Sequence, residues 1–581
     1  MAFESPWQRR LTRRRLLGAT GAAAALAAAA CSRGGGGQPT PFSPTAEPSA
    51  SPTRAPSPSP TTLSPRHGHT LRHTGFVERD AFADPHKTQA GPLLGHQAMV
   101  FSRLLTYQDQ ARGTIAADLA VALPERPDPT TLVFRINPQA RWHDLPPLNG
   151  RPVTADDVKF SIERQRSGDT TFVRAPQWAA VDSIEVTSPQ TITFKLTAPL
   201  AAAHHLFADV ASFIVAPELA PDGRDISLDA QVGSGPFLWV EWSDQRFASV
   251  RRNPAWFGGD RRPYLEGISL VQPRTTAEVE SGLRTRALDV AVVSRTLADH
   301  LKRGLPQLVE YTVGHSMFFS VRYSLVNHPY NDQRFRNAIT WALDRREMVR
   351  KFFDGSGGLS PWISWPVTRW TLPESELTTV PGYRPGDGGR EADLRDARAA
   401  LEAFRSEKQL PADPLPLFVV DATENAIGLG SLIRDQLKAA LDLDIRVVPM
   451  PLSQLVGLLL SAEAPFAAGP DTGWIDLDDW VYPYFHSAGT RNSFPLRDPD
   501  LDALIEKQRV ELDEDARRSL GYEIQRRILA LNPGANLVSE RVVALAWPYV
   551  KGYPLDTTDG YQDRLASCWI DASDPTFRGR S

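Results

Sequence analysis

Along residues 130–137 (TTLVFRIN), apolar and polar side chains alternate with a period of two, the pattern of a half-buried strand. The same alternation over 181–187 and 191–196, interrupted by Ser188-Pro189-Gln190, predicts a hairpin. Elsewhere a period near 3.6 takes over. After Thr154, Val158 and Ile162 fall on one helical face, and Asp157 stands where a capping box needs it, in an acidic first turn that opposes the helix dipole. Residues 96–105 predict a helix with Phe101, Leu104 and Leu105 inward. Residues 331–350 predict one long helix with Phe335, Ile339, Ala342 and Leu343 as its buried stripe. Residues 431–441 predict another, with Leu432, Leu437 and Leu441 inward, feeding a β-branched strand at 445–448. Helices and short strands alternating over several hundred residues indicate α/β domains with parallel segments.

The N-terminal pattern is of a different kind. Arg9, Arg10 and Arg13 to Arg15 precede an alanine-dominated run, 16–30, which is too short to span a bilayer. Thr12-Arg13-Arg14-Arg15-Leu16-Leu17 reads as a twin-arginine export signal. Cys31 follows the small-residue run where bacterial lipoproteins are cleaved and lipidated, although Ala28 stands where such sites usually carry leucine. Plain cleavage at an Ala-x-Ala site is the alternative. Residues 34–65 hold four leading glycines and nine prolines among Ser and Thr, a composition that cannot bury enough apolar area to order itself. A lipid on Cys31 and this tether place a globular body outside the cytoplasm, at a membrane surface. That body retains Cys568 alone, so no internal disulfide is expected.

With 64 basic and 68 acidic residues, the chain offers no global field for nucleic acid. His67, His69 and His73 lack a nearby acid or cysteine and read as surface rather than metal ligands. The chain carries no G-x-S-x-G, H-E-x-x-H, P-loop or C-x-x-C spacing, so no catalytic residues, metal or cofactor are expected. The candidate chemistry concentrates in 473–485, GWIDLDDWVYPYF. Asp476, Asp478 and Asp479 lie between Trp474 and Trp480, and acids walled by rings suit a ligand carrying an ammonium group. The competing reading is a hydrolase using carboxylates of 476–479, but near-adjacent acids rarely straddle a scissile bond.

Several segments resemble signature motifs of the family 5 extracellular solute-binding proteins, the oligopeptide- and dipeptide-binding proteins of ABC importers. They are Asp118-Leu119-Ala120, Trp142-His143-Asp144, Thr154-Ala155-Asp156-Asp157-Val158 with Arg164, and Gly233-Ser234-Gly235-Pro236-Phe237. Arg252-Asn253-Pro254-Ala255-Trp256-Phe257, Ser281 through Val290, Asp332 through Arg345 and Gly473-Trp474 continue the series in order. Leu145 and Ala287 depart from it, each standing where the family has glycine.

The resemblance implies a two-lobed, type II periplasmic-binding-protein-like α/β fold in three domains, with one lobe discontinuous. Domain I would comprise 66–105, 230–317 and 545–581, domain II 106–229, and domain III 318–544, after a signal segment at 1–30 and the anchor and tether at 31–65. It implies a monomer that captures a peptide or similar small solute in a closing cleft and delivers it to an ABC-type membrane permease, without catalysis. It also implies that an acid beyond Trp474 holds the ligand's amino terminus. Spacing favours Asp478, and a one-residue deletion would restore Asp476. In an extended segment these two face one side, and Asp479 faces solvent or another domain. Trp474 and Trp480 would wall the site.

Overall fold

The computed structural model describes residues 64–580, apart from 76–83, 89–90, 228–229, 244–245, 422–423 and single positions at 170, 173, 260, 360, 472 and 559. The signal, Cys31 and nearly all of the tether lie outside the described residues. Among the described residues no helix is long and apolar enough to cross a membrane.

One eleven-stranded sheet carries the body. Its order is Ile445–Met450, Leu415–Val420, Phe466–Asp471, Val309–Tyr323, Gly534–Ala546, Val290–Val293, Thr70–Thr74, Gly267–Val271, Phe247–Arg252 and Phe237–Ser243, with Gly357–Gly358 paired to one side. Parallel pairs occur towards both ends, where Thr70–Thr74 meets Gly267–Val271 and Leu415–Val420 meets Ile445–Met450. The two long central strands, Val309–Tyr323 and Gly534–Ala546, run antiparallel through both lobes and lose register between Gly314 and Phe318. The apolar cores divide on either side of that irregularity. One gathers Leu71, Trp178, Phe207 and Tyr549; the others gather Phe335, Ile433 and Phe466, and Trp362, Trp480 and Ile524. A four-stranded antiparallel sheet, Glu125–Asp128, Thr131–Arg135, Thr191–Leu196 and Val181–Ser188, belongs to the N-terminal core.

The hairpin and the capped helix form as the sequence predicts: in Ala155–Gln165 the Asp157 carboxylate accepts the Thr154 N–H at 2.9 Å, and Val158 and Ile162 are buried. Glu424–Leu441 likewise feeds Ile445–Met450. Two expectations need correction. The helix expected over 96–105 is Gly91–Val100, because the Val100 carbonyl turns to accept the Gly235 N–H at 2.7 Å, leaving Leu105 to start a strand. The single helix expected over 331–350 is two, Gln333–Ala342 and Arg345–Phe352. Asp344 caps the second by accepting the Glu347 N–H at 2.9 Å, an alternative to continued helix that an aspartate side chain offers its own backbone.

The family-like motifs turn out to be joints. His143 is buried and donates from Nε2 to the Gly235 carbonyl at 3.1 Å, while Nδ1 faces the Gly233 N–H at 3.3 Å. A Cβ on Gly233 would sit 1.9 Å from the Val100 carbonyl oxygen, so only glycine allows this close approach. Arg164 forks onto Asp84, which also accepts backbone N–H groups of His86 (2.9 Å) and Ile226 (2.8 Å). Arg151 forks onto Asp157 at 2.7 and 2.9 Å.

Candidate functional site

Strand Phe466–Asp471 delivers the chain to the lobe junction. Gly473 then passes so close to the strand Val309–Tyr323 that a Cβ would lie 1.9 Å from the Ser316 carbonyl oxygen. Asp476 is the N-cap of Leu477–Phe485, with its own backbone extended and its side chain accepting the Asp478 N–H at 2.9 Å. Asp478 and Asp479 therefore lie in a helical first turn, and the extended arrangement expected from the sequence is replaced by consecutive positions about 100° apart around a helix. Two carboxylates at the N-terminus favour that turn through the helix dipole.

The three acids have different surroundings. Asp476 is fully buried and takes a bidentate fork from Arg517 at 2.7 and 2.9 Å. From the other lobe, His205 Nε2 approaches it at 3.3 Å. Burial alone would raise its pKa, but the Arg517 charge, then His205, hold it well below the usual carboxylate range. Burial brings the His205 pKa down to about 4, so the ring is neutral at pH 7: Tyr107 O–H donates to Nδ1 at 2.8 Å, leaving Nε2–H for Asp476. Asp478 accepts from Gln508 Nε2 at 2.6 Å and faces Arg509 Nε at 3.3 Å, and burial pushes its pKa up.

Asp479 is half-buried and makes no side-chain hydrogen bond among the described residues. Burial, joined by the like charges of Asp209, Asp476 and Asp478 against the opposing pull of Arg174, raises its pKa to about 7. Asp209 and Arg174 both belong to the opposite lobe and form their own two-point pair. The sequence left Asp479 to solvent or another domain, and the structure sets it against that domain's charges.

Trp474 is half-buried, with the guanidiniums of Arg174 and Arg491 at 4.7 and 5.1 Å from its ring. Trp480, expected to wall the ligand, is placed otherwise. It is 2 % exposed, packs on Phe318 at 5.3 Å between ring centroids, and donates to the Trp474 carbonyl at 2.8 Å. The helical turn points it into its own lobe's core. Sequence reading missed Arg174, His205, Asp209 and Arg517, which lie 30 to 300 residues away with no motif to mark them. The adjacent His204-His205 was visible, but not its partner.

Four arginines (174, 491, 509, 517) thus offset four acids (209, 476, 478, 479), so the junction is polar and nearly neutral. Further bonds cross it, from Ala201 N–H to the Arg509 carbonyl at 2.7 Å and from Arg369 to the Gly113 carbonyl at 2.9 Å. Charged faces of this kind part and rewet at little cost. Beside the junction lies a cavity of about 860 Å³ lined from both lobes by His205, Arg112, Arg369 and Arg517 among others. A more apolar one, about 480 Å³, opens beyond the C-terminal ends of Thr70–Thr74 and Gly267–Val271, against His315, Met317, Glu540 and Val542 of the long strands. Ligands of open α/β sheets bind at such strand ends. Among the described residues no cluster of His, Cys, Asp and Glu suits a metal.

Comparison with known proteins agrees with this architecture. The family described as bacterial extracellular solute-binding proteins, family 5 (middle) matches residues 114–492. A di/tripeptide-binding protein of Pseudomonas aeruginosa is 23 % identical over 487 residues, 79 % of this chain and 88 % of that one. The first curated relatives, ABC transporter peptide-binding proteins of Brucella, are 25 % identical over 272 residues, and the chain spans about half (48 %) of their length. Among solved structures, the oligopeptide-binding protein AppA of Bacillus subtilis, in complex with a nonapeptide, superposes with TM-score 0.70 at 18 % identity, covering 87 % of this chain and all of that one. AgaA of Agrobacterium tumefaciens, bound to agropinic acid, does so with TM-score 0.70 at 19 % identity, covering 86 % and 99 %.

Proposed function

This chain belongs to the bacterial extracellular solute-binding proteins of family 5, and from that premise we propose that it is the capturing component of an ABC importer for peptides. It holds a short peptide between its lobes as a monomer, performs no catalysis, and hands the ligand to a membrane permease. Domains I, II and III divide the body as the resemblance implies, with the long strands Val309–Tyr323 and Gly534–Ala546 as the hinge. Lipid on Cys31, followed by the tether, keeps the protein outside the cytoplasm, in the periplasm or at the outer face of the cytoplasmic membrane. The small-residue run before Cys31 and the proline-rich run after it support the anchor.

The observation that carries the ligand reading is Asp479. A half-buried carboxylate without a hydrogen-bond partner, in the first turn of the helix that follows Trp474 and at the lobe junction, is a seat for an ammonium group. Asp476 and Asp478, the acids favoured by spacing, form with Trp474 the wall that positions it, since Arg517 and Gln508 already occupy them. Their engagement also disfavours the hydrolase reading, which needs two available carboxyls.

Calorimetry with di-, tri- and tetraalanine, each free and N-acetylated, tests this. The free peptides should bind and the acetylated ones should lose at least tenfold. Equal binding of both forms would remove the ammonium seat. No binding of any peptide, with a non-peptide mass in the native mass spectrum of purified protein, would replace the peptide by another solute.

A further inference from the structure

Successive side chains of a strand point to opposite faces, and the hinge strand Gly534–Ala546 uses both. Glu540 and Val542 line the 480 Å³ cavity at the strand ends, whereas Arg541 lines another, of about 670 Å³, whose other walls come from 346–383 of the C-terminal lobe. This volume is typical of small-molecule sites. Its apolar walls include Val349, Leu372 and Leu377, and its rim holds Arg346, Arg350 and Arg541 against one acid among the lining residues, Glu374.

None of these three guanidiniums forms an ion pair with a carboxylate among the described residues. Arg346 donates to the carbonyls of Arg384 (2.9 Å) and Tyr383 (3.3 Å), Arg541 lies 4.7 Å over the Trp365 ring, and Arg350 is exposed. Elsewhere in this lobe Arg334, Arg384, Arg526 and Arg527 pair with acids, and Arg336, Arg345 and Arg390 are taken up by backbone carbonyls, so the side chains of Arg350 and Arg541 stand out in having neither. Trp365 supplies the ring beneath Arg541, with its indole Nε1 buried against Gly358. Arg350 and Arg541, two guanidiniums without a carboxylate partner set over an apolar wall, describe the complement of an organic anion. Guanidinium binds carboxylate by two parallel hydrogen bonds, and its stacking on an aromatic ring leaves the fork edge available.

We propose that this cavity is a second ligand site, for a small carboxylate with an apolar body, separate from the solute held between the lobes. The carboxylate lies between Arg350 and Arg541, and the apolar body lies against Val349, Leu372 and Leu377. The site also touches the hinge. A Cβ at Gly314 would meet the Trp365 ring at 2.3 Å, so Trp365 rests on the strand Val309–Tyr323 where its ladder with Gly534–Ala546 loses register. An occupant that presses on Trp365 bears on the bending point.

Calorimetry with 4-phenylbutyrate, and with the neutral 4-phenylbutanol of the same shape, tests the proposal on the intact body. The acid should bind with a dissociation constant in the micromolar to low millimolar range and the alcohol at least tenfold more weakly. Arg350→Gln and Arg541→Gln alter exposed side chains, so both should fold, and each should weaken the acid at least fivefold. Asp479→Asn, in the lobe junction, should leave it unchanged, which separates this site from the peptide seat. Failure of the acid to bind at 10 mM would overturn the proposal, as would equal binding of acid and alcohol, or arginine variants that bind like the parent.

Discussion

In the N-terminal lobe, Asp84 is 1 % exposed and receives a guanidinium fork from Arg164 and two backbone N–H groups, all from within that lobe. At the junction, Asp476 is as deeply buried and receives the same kind of fork from Arg517, but its third contact, His205, comes across the gap between lobes. Arginine and carboxylate are the parts in both places. In the first they tie segments 80 and 142 residues apart into one rigid body, and nothing is gained by releasing them. In the second, a separation of the lobes would break one contact and let water reach what remains. Position relative to the hinge, more than chemistry, decides whether a buried ion pair is a staple or a latch.

The largest effect expected from this contrast is at the staple. Asp84→Ala leaves Arg164 buried without its counter-charge, and breaking such a pair costs about 3–5 kcal/mol. A large drop in the thermal midpoint is expected, with peptide affinity of the folded fraction unchanged. A midpoint like the parent's would show that water compensates Arg164, and that the two regions do not differ as argued.

Next is the latch. Asp476→Ala strands Arg517, but opening gives that guanidinium access to water, so about 2–3 kcal/mol is expected, less than for Asp84. Small-angle scattering of the ligand-free variant should show a larger radius of gyration than the parent, because the His205 contact is gone. The double variant Asp476→Leu with Arg517→Leu removes both charges and should recover most of the stability. Identical scattering of parent and single variant would mean that His205 holds nothing closed. Gly473→Ala comes third. Its methyl group meets the Ser316 carbonyl at 1.9 Å, against backbone that cannot yield as a side chain would. About 1–3 kcal/mol of overpacking is expected, with weakened peptide binding as Trp474 is displaced. Unaltered peptide affinity in a well-folded Gly473→Ala protein would separate the loop from the ligand.

The local elements of the N-terminal lobe were far more legible in the sequence than either the staple or the latch, for a physical reason. Thr154 and Asp157, the alternating strands and the glycines of 233–235 act through local geometry, which leaves a local pattern. Those segments carried the family resemblance, and the structure shows them packing against one another. The acids of 473–485 were visible as residues, but their roles depend on what faces them. Arg517 arrives from 41 residues downstream, and Arg174, His205 and Asp209 from another lobe. No period or motif in one strand of text encodes that meeting. The capped turn was a local signal overlooked: Asp476 followed by two acids is an N-cap sequence, and it rotates Trp480 into the core. The break at Asp344 has the same cause.

The smallest expected effect on stability, and the one that most directly separates Asp479 from its neighbours, is its pH dependence. In the folded protein this carboxyl titrates at about 7, above an unfolded value near 3.8. Between those values the folded state binds the extra proton, so the contribution of Asp479 to stability falls as pH rises from about 4 to about 7 and is level beyond. Five histidines, His73, His86, His143, His204 and His205, act in the opposite sense. Burial depresses each to about 4, so each costs stability as pH falls from 6.5 towards 4. A pH profile of the parent therefore mixes both signs. The difference between Asp479→Asn and the parent cancels the histidines, and it should grow in favour of the variant from pH 4 to 7. Solvent reaches this half-exposed group, so the whole change is expected to stay below about 2 kcal/mol. Peptide affinity should move the other way: an ammonium gains from Asp479 only when the carboxyl is ionised, so binding should tighten from pH 5.5 to 7.5 in the parent and stay flat in Asp479→Asn. Parallel affinity profiles for the two proteins would place the ligand's amine away from Asp479, and the junction would then be a latch alone.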